Sequence, residues 1–140
     1  MKYLFIITAL VGAFLVSAQQ PKAAAAKSAP LPAGVYKGLA DSCTAVDITF
    51  FTSTASMSLD NRNVRFLAAF VSQYPTAKNP KLPQDGIIMW TRNGSEYITG
   101  KMYFSGDSTG YLTFDKNNRE YINALTAQGA AFLQSHGKKK

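Results

Sequence analysis

The sequence predicts an α+β fold made of two tandem βββα repeats, in which an antiparallel sheet is followed by one helix. Stretches of alternating apolar residues indicate strands, and apolar residues at helical spacing come after them. Two phrases are nearly the same, MSLDNRNVRFLAAF at residues 57–70 and LTFDKNNREYINAL at residues 112–125. We therefore expect a single compact domain over residues 34–137, with repeats at about 34–74 and 86–135.

The first 18 residues have the pattern of a secretory signal peptide. Lys2 gives a basic start, residues 3–16 form an apolar run, and Val16-Ser17-Ala18 offers a cleavage site. The run is shorter than the roughly 20 residues that a membrane-spanning helix needs. Residues 19–33 are rich in Ala and Pro and predict a flexible linker. These features indicate a secreted or periplasmic protein.

The net charge of +7 is concentrated at the ends of the chain. Six of the 15 Lys and Arg residues lie outside residues 34–137, three of them in a basic tail at 138–140, whereas all eight Asp and Glu residues lie inside. Basic tails attract anionic surfaces of many kinds without selecting among them. An anionic surface, a glycan, a protein partner and a second copy of the chain all stay open as partners.

In the first repeat, alternation over residues 46–50 and again over 57–59 predicts strands. Asp60 then precedes apolar residues at helical spacing, Val64, Leu67, Val71 and Tyr74. An Asp in this position accepts hydrogen bonds from the free amides of the first helical turn. We therefore expect Asp60 to cap a helix that ends before Pro75.

The second repeat is expected to follow the same order. Asn93-Gly94 predicts a tight hairpin turn between strands at residues 86–92 and 96–104, and a third strand follows at 111–114. By analogy with Asp60, Asp115 is expected to cap a second helix, whose apolar positions are Tyr121, Ile122, Leu125 and Phe132.

Alternation in the second repeat predicts a candidate ligand-binding face on the sheet, made of Tyr97, Lys101, Tyr103 and Tyr111. Aromatic side chains beside a Lys stack on nucleobases or on sugar rings. The alternative is that the other repeat or a second chain covers this face.

No catalytic residue, cofactor site or metal site is predicted, so we expect a binding or structural module rather than an enzyme. The only histidine, His136, adjoins the basic tail, and the only cysteine is Cys43. Cys43 is therefore a buried free thiol, a partner in an intermolecular disulfide or a reactive group. Asn93-Gly94-Ser95 matches the N-glycosylation acceptor pattern.

The phrases Leu59-Asp60…Phe66-Leu67 and Phe114-Asp115…Tyr121-Ile122 resemble the Whirly and Pur-alpha proteins. In those families a strand ends in a short polar phrase before an amphipathic helix, and the unit is duplicated. The resemblance covers most of residues 34–135 and implies their fold and binding of single-stranded DNA or RNA. No binding residue is carried over from them. Nucleic-acid binding is thus the alternative to a secreted module that uses the aromatic sheet face and the basic tails.

Overall fold

The computed structural model describes residues 28–105 and 110–137, and in these ranges the chain forms an α+β fold with three helices and one six-stranded antiparallel sheet. In chain order the elements are α1 (Ala33–Asp41), β1 (Ala45–Phe50), β2 (Ser56–Leu59), α2 (Asn61–Ala68), β3 (Gly86–Arg92), β4 (Ser95–Tyr103), β5 (Tyr111–Lys116), β6 (Arg119–Ala124) and α3 (Ala127–Gly137). The predicted signal peptide and the tail at 138–140 lie outside the described residues.

The strand order is β2-β1-β3-β4-β5-β6, and every neighbouring pair is antiparallel. Helix α2 connects β2 to β3 past β1, and β3 to β6 form a meander. The predicted hairpin at Asn93-Gly94 is confirmed: both residues have positive φ, as a type I′ turn requires. Because β3 and β5 run in the same direction, the β3–β4 and β5–β6 turns lie at the same end of the sheet.

The core lies between the helices and one face of the sheet. Alternate strand residues point to this face, among them the fully buried Val46, Ile48, Trp90, Met102 and Phe114. Leu39 of α1, Val64 of α2 and Leu133 of α3 close the core from the helix side. We call this side of the sheet the helix face and the other side the outer face.

Two tandem βββα repeats are not clearly shown, because the two similar phrases adopt different structures. Residues 57–70 form the end of β2 and then helix α2, whose predicted cap is confirmed: the Asp60 side chain accepts a hydrogen bond from Arg62 N at 3.2 Å. Residues 112–125 form the β5–β6 hairpin instead, and the last helix begins only at Ala127.

The predicted cap at Asp115 is therefore wrong. Asp115 lies inside β5, one position before the end of the strand. Asn117 and Asn118 follow with φ of 52° and 58° and make a two-residue hairpin turn. Asn tolerates the left-handed region better than other non-Gly residues. The turn thereby returns the chain as strand β6 at the position where a helix was expected.

Helix α2 is also shorter than its apolar spacing predicts, since it ends at Ala68. Val71 forms an isolated antiparallel bridge with Leu125, and Tyr74 is 77% exposed. Residues 72–85 then return along the outer face to β3, and we call them the strap. Backbone bonds from Ser72 N to Ala124 O and from Ala124 N to Tyr74 O tie its start to the free edge of β6.

Part of the predicted flexible linker belongs to the folded domain. Leu31 is 4% exposed, and its backbone N–H donates to Asn123 Oδ1 at 2.9 Å. Ala29 O accepts a bond from Ile122 N, so this segment also pairs with the edge of β6. Packing begins at least as early as Ser28, not at Gly34, because apolar Leu31 finds a buried place that composition alone did not indicate.

Candidate functional site

Tyr97 lies on the helix face, although alternation places it on the outer face. The register between β3 and β4 shifts at this point: Trp90 pairs with Ile98 and Thr91 pairs with Glu96, which leaves Tyr97 without an opposing residue. A bulge of this kind breaks the alternation of side chains along the strand. The predicted position of Tyr97 is therefore wrong, and the bulge is the reason.

The Tyr97 side chain is held by helix α1. Its hydroxyl donates a hydrogen bond to Val35 O at 3.2 Å, and its ring lies against Gly38. A Cβ atom at Gly38 would overlap the Tyr97 hydroxyl. Glycine at this position is what lets the tyrosine reach the helix, so the orientation of the ring is fixed by α1.

The other three residues of the predicted face differ in their access to solvent. Tyr103 and Tyr111 stack with ring centroids 4.7 Å apart, but Tyr111 is only 2% exposed. The strap lies against it, because the Tyr111 hydroxyl donates to Asn79 O and accepts from Asn79 N, both at 3.2 Å. Lys101 is exposed and pairs with Asp115 at 3.1 Å. The four residues therefore do not form one open face.

A different group forms around Tyr97 at the turn end of the sheet. The guanidinium carbon of Arg92 lies 5.3 Å from the Tyr97 ring centroid, and the ammonium of Lys116 lies 6.0 Å from it. Both distances are in the range of cation–π contacts. The last residue of β3 and the last residue of β5 thus place two cations on the same tyrosine.

The group continues onto β6. Lys116 pairs directly with Arg119 across the β5–β6 hairpin, and the guanidinium carbon of Arg119 lies 5.3 Å from the Tyr121 ring centroid. Both tyrosines pack against the edge of the core. We call Arg92, Tyr97, Lys116, Arg119 and Tyr121 the cation–tyrosine row.

The outer face of the same hairpin carries the opposite charge. Asp115 pairs directly with Glu120, one residue along from the Lys116–Arg119 pair. Like charges directly opposite each other destabilise a sheet. Each acid has a lysine partner, because Lys101 contacts Asp115 at 3.1 Å and Lys78 of the strap contacts Glu120 at 2.9 Å. The acidic pair is therefore compensated.

The basic pair has no such compensation. Within residues 28–105 and 110–137 the ion pairs are Lys37–Asp41, Lys78–Glu120 and Lys101–Asp115, and none includes a cation of the row. Other described cations also lack an ion pair, namely Arg62, Arg65 and Lys81. Those three lie on α2 and the strap, whereas the row gathers its three cations at the two hairpin turns.

Burial and charge around Tyr97 affect two titratable groups. Burial raises the pKa of the Tyr97 hydroxyl, the nearby Cys43 raises it further, and Arg92 partly opposes them. Burial likewise raises the pKa of the Cys43 thiol, again opposed by Arg92. Cys43 is 4% exposed, which agrees with the buried free thiol among the three alternatives.

The described residues hold no cluster of three or more His, Cys, Asp or Glu side chains that could bind a metal ion. His136 is exposed at the end of α3, where its ring lies 4.3 Å from that of Phe132. Asn93 is exposed in its hairpin turn. Glycosylation at Asn93 stays a prediction.

Sequence reasoning missed the three cations of the row. A signal for them was present, since Arg92 directly precedes the Asn93-Gly94 turn and Lys116 and Arg119 flank Asn117-Asn118. Reading the second Asn pair as a hairpin would have placed all three at one end of the sheet. The interpretation of Asp115 as a helix cap prevented it.

Comparison of the chain with protein-family models, curated proteins and solved structures finds no match in any of the three. Among the described helices none is both long enough and apolar enough to cross a membrane.

Proposed function

We propose that this chain is a secreted or periplasmic, non-enzymatic binding module that holds an anionic polymer on its cation–tyrosine row. The observation that carries the proposal is the direct Lys116–Arg119 pair, extended by Arg92 beside Tyr97 and without an acidic partner among the described residues. The repulsion within such a pair is relieved when a ligand supplies negative charge.

The residue types suit this ligand. Arginine presents a planar fork of donors that fits carboxylate, sulfate and phosphate groups, and lysine adds a point charge. Tyr97 and Tyr121 hold the long cationic side chains over their rings, which reduces the freedom lost on binding. The Lys residues of the two ends, predicted from sequence to be basic tails, would add attraction that does not depend on a particular geometry.

Binding of a sulfated dextran to the protein, measured at several salt concentrations, tests this proposal. The variant Arg92→Gln/Lys116→Gln/Arg119→Gln is expected to bind about tenfold or more weakly and with a smaller salt dependence, because fewer counterions are exchanged. The matched control is Arg62→Gln/Arg65→Gln/Lys81→Gln, which removes the same charge from other surfaces and is expected to bind nearly as the parent protein does.

An equal loss in both variants would mean that net charge alone drives binding and would overturn the assignment to the row. A single-stranded oligonucleotide in the same titration addresses the nucleic-acid alternative. Tight oligonucleotide binding that falls in Tyr103→Ala, together with unaltered binding in the row variant, would favour the stacked Tyr103–Tyr111 pair as the site instead.

A further inference from the structure

A groove of about 860 Å³ adjoins the cation–tyrosine row at Arg119. Three pieces of chain form its walls: the segment before α1, the strap and the β5–β6 hairpin. A hydrogen bond from Ser28 Oγ to Thr76 O at 2.7 Å joins the first two walls. The lining residues are Ser28, Ala29, Pro75, Thr76, Ala77, Lys78, Asn118, Arg119, Glu120 and Ile122.

The lining offers donors, acceptors and apolar surface together. Arg119, Asn118 and Lys78 supply donors, and the Glu120 carboxylate supplies acceptors. Lys78 lies 2.9 Å from Glu120 and balances its charge, so one cation remains in excess at Arg119. A sugar ring has the same mixture of hydroxyl groups that donate and accept and of apolar C–H surface.

Asn118 gives a second indication. It has φ of 58° at the second turn position, where the β3–β4 hairpin has Gly94 at φ 79°. Glycine adopts this conformation without steric cost. Asn tolerates it as well, and unlike glycine it brings a side-chain amide to a residue that lines the groove.

We propose that the groove binds a sugar unit of an anionic polysaccharide, whose uronate or sulfate groups extend over the turn to Lys116 and Arg92. This inference rests on the proposed function and narrows its ligand. The described lining contains no aromatic ring on which a nucleobase would stack.

The test is Asn118→Gly, titrated with oligogalacturonate, sulfated dextran, neutral dextran and a single-stranded oligonucleotide. The change suits the turn, so the melting temperature is expected to stay equal or rise. We expect affinity for one of the two anionic polysaccharides to fall about fivefold, since the amide loses its hydrogen bond to the sugar. The matched control is Asn117→Gly, the neighbouring turn position that does not line the groove, and its affinity is expected to stay unchanged.

A second variant, Ala77→Leu, places a larger side chain on the strap wall of the groove and is expected to weaken binding of the same polysaccharide. Unchanged polysaccharide binding in both Asn118→Gly and Ala77→Leu would overturn the groove assignment. If the row variant still lost affinity in that case, the proposed function would stand without the groove. If Asn118→Gly weakened the binding of the oligonucleotide as much as that of the polysaccharide, the specificity for sugar would be contradicted. A parent protein that binds neither anionic polysaccharide would overturn both proposals.

Discussion

Each face of the β5–β6 hairpin carries two like charges directly opposite each other, but among the described residues only one of the two pairs is compensated by opposite charge. On the outer face Asp115 opposes Glu120, and Lys101 and Lys78 compensate both acids. On the helix face Lys116 opposes Arg119, and no described acid compensates either of them. Charge on the outer face is thus used within the fold, where Lys101–Asp115 joins β4 to β5 and Lys78–Glu120 joins the strap to β6. Charge on the helix face is left for another molecule, and this is the basis of the proposed function.

The largest expected effect concerns the support of the row by α1. Gly38→Ala places a methyl group where the Tyr97 hydroxyl lies, so the ring or the helix must shift. We expect a loss of about 1–3 kcal/mol in the free energy of unfolding, as for overpacking elsewhere. Chemical denaturation measures it, with Gly34→Ala as control, because the space around Gly34 is open. An unchanged stability in Gly38→Ala would show that Tyr97 is not held as described.

The next expected effect is a difference in stability between substitutions at Asp60 and Asp115, which the sequence predicts to have the same role as helix caps. Asp60→Ala removes a helix cap and is expected to cost about 1 kcal/mol. Asp115→Ala removes only an exposed ion pair with Lys101 and is expected to cost less than about 0.5 kcal/mol. Equilibrium unfolding of both variants provides the comparison. Equal losses would contradict the placement of Asp115 in a strand.

These two residues also show how far the sequence determines the fold. The strands that alternation predicts, the Asp60 cap and the Asn93-Gly94 turn follow from local sequence, and all three are confirmed. The α+β class follows from them. The prediction for Asp115 failed because the same polar residues occur where a strand leads into a helix cap and where a strand leads into a hairpin turn. Only the pairing of β5 with β6 decides between these two structures.

The position of Tyr97 depends on long-range contacts as well. Its bulge is a shift in the register of β3 against β4, and its ring has room against α1 because Gly38, which is far away in sequence, has no side chain. The burial of Tyr111 depends on the strap in the same way. The candidate site could be predicted only as far as its residue types, because a two-residue periodicity carries no information about bulges or about segments that cross a face.

A smaller effect, of opposite sign, is expected from changing the basic pair. Arg119→Glu places an acid directly opposite Lys116 and replaces repulsion by attraction. The new charge pair is expected to add about 0.2–1 kcal/mol to the free energy of unfolding, and loss of the Arg119 contact with the Tyr121 ring offsets part of this gain. Thermal or chemical unfolding at low salt measures the gain, which is expected to shrink at high salt. A stability difference between variant and parent that does not fall at high salt would contradict the view that the Lys116–Arg119 repulsion costs stability.

The smallest effect is a pH dependence on the outer face. A hydrogen bond to Glu120 raises the pKa of Lys78 above its ordinary value. The contribution of the Lys78–Glu120 pair to stability is therefore complete at pH values below the pKa of lysine in the unfolded chain. It is lost as the pH rises through the higher pKa of Lys78 in the folded protein. Since both side chains are partly exposed, we expect only a few tenths of a kcal/mol. The stability difference between the parent protein and Lys78→Gln is expected to stay constant below the ordinary lysine pKa of about 10.4 and to narrow as the pH rises above it. A constant difference would show that the pair does not anchor the strap.

The affinity of Arg119→Glu for sulfated dextran, compared with that of Lys81→Glu, tests most directly whether the row serves a ligand rather than the fold. Both variants change the net charge equally, and Lys81 is exposed on the strap outside the row. If the row binds the polymer, Arg119→Glu is expected to lose about tenfold or more in affinity while its folding is preserved or strengthened, and Lys81→Glu is expected to lose much less. Equal affinities in the two variants would contradict the assignment.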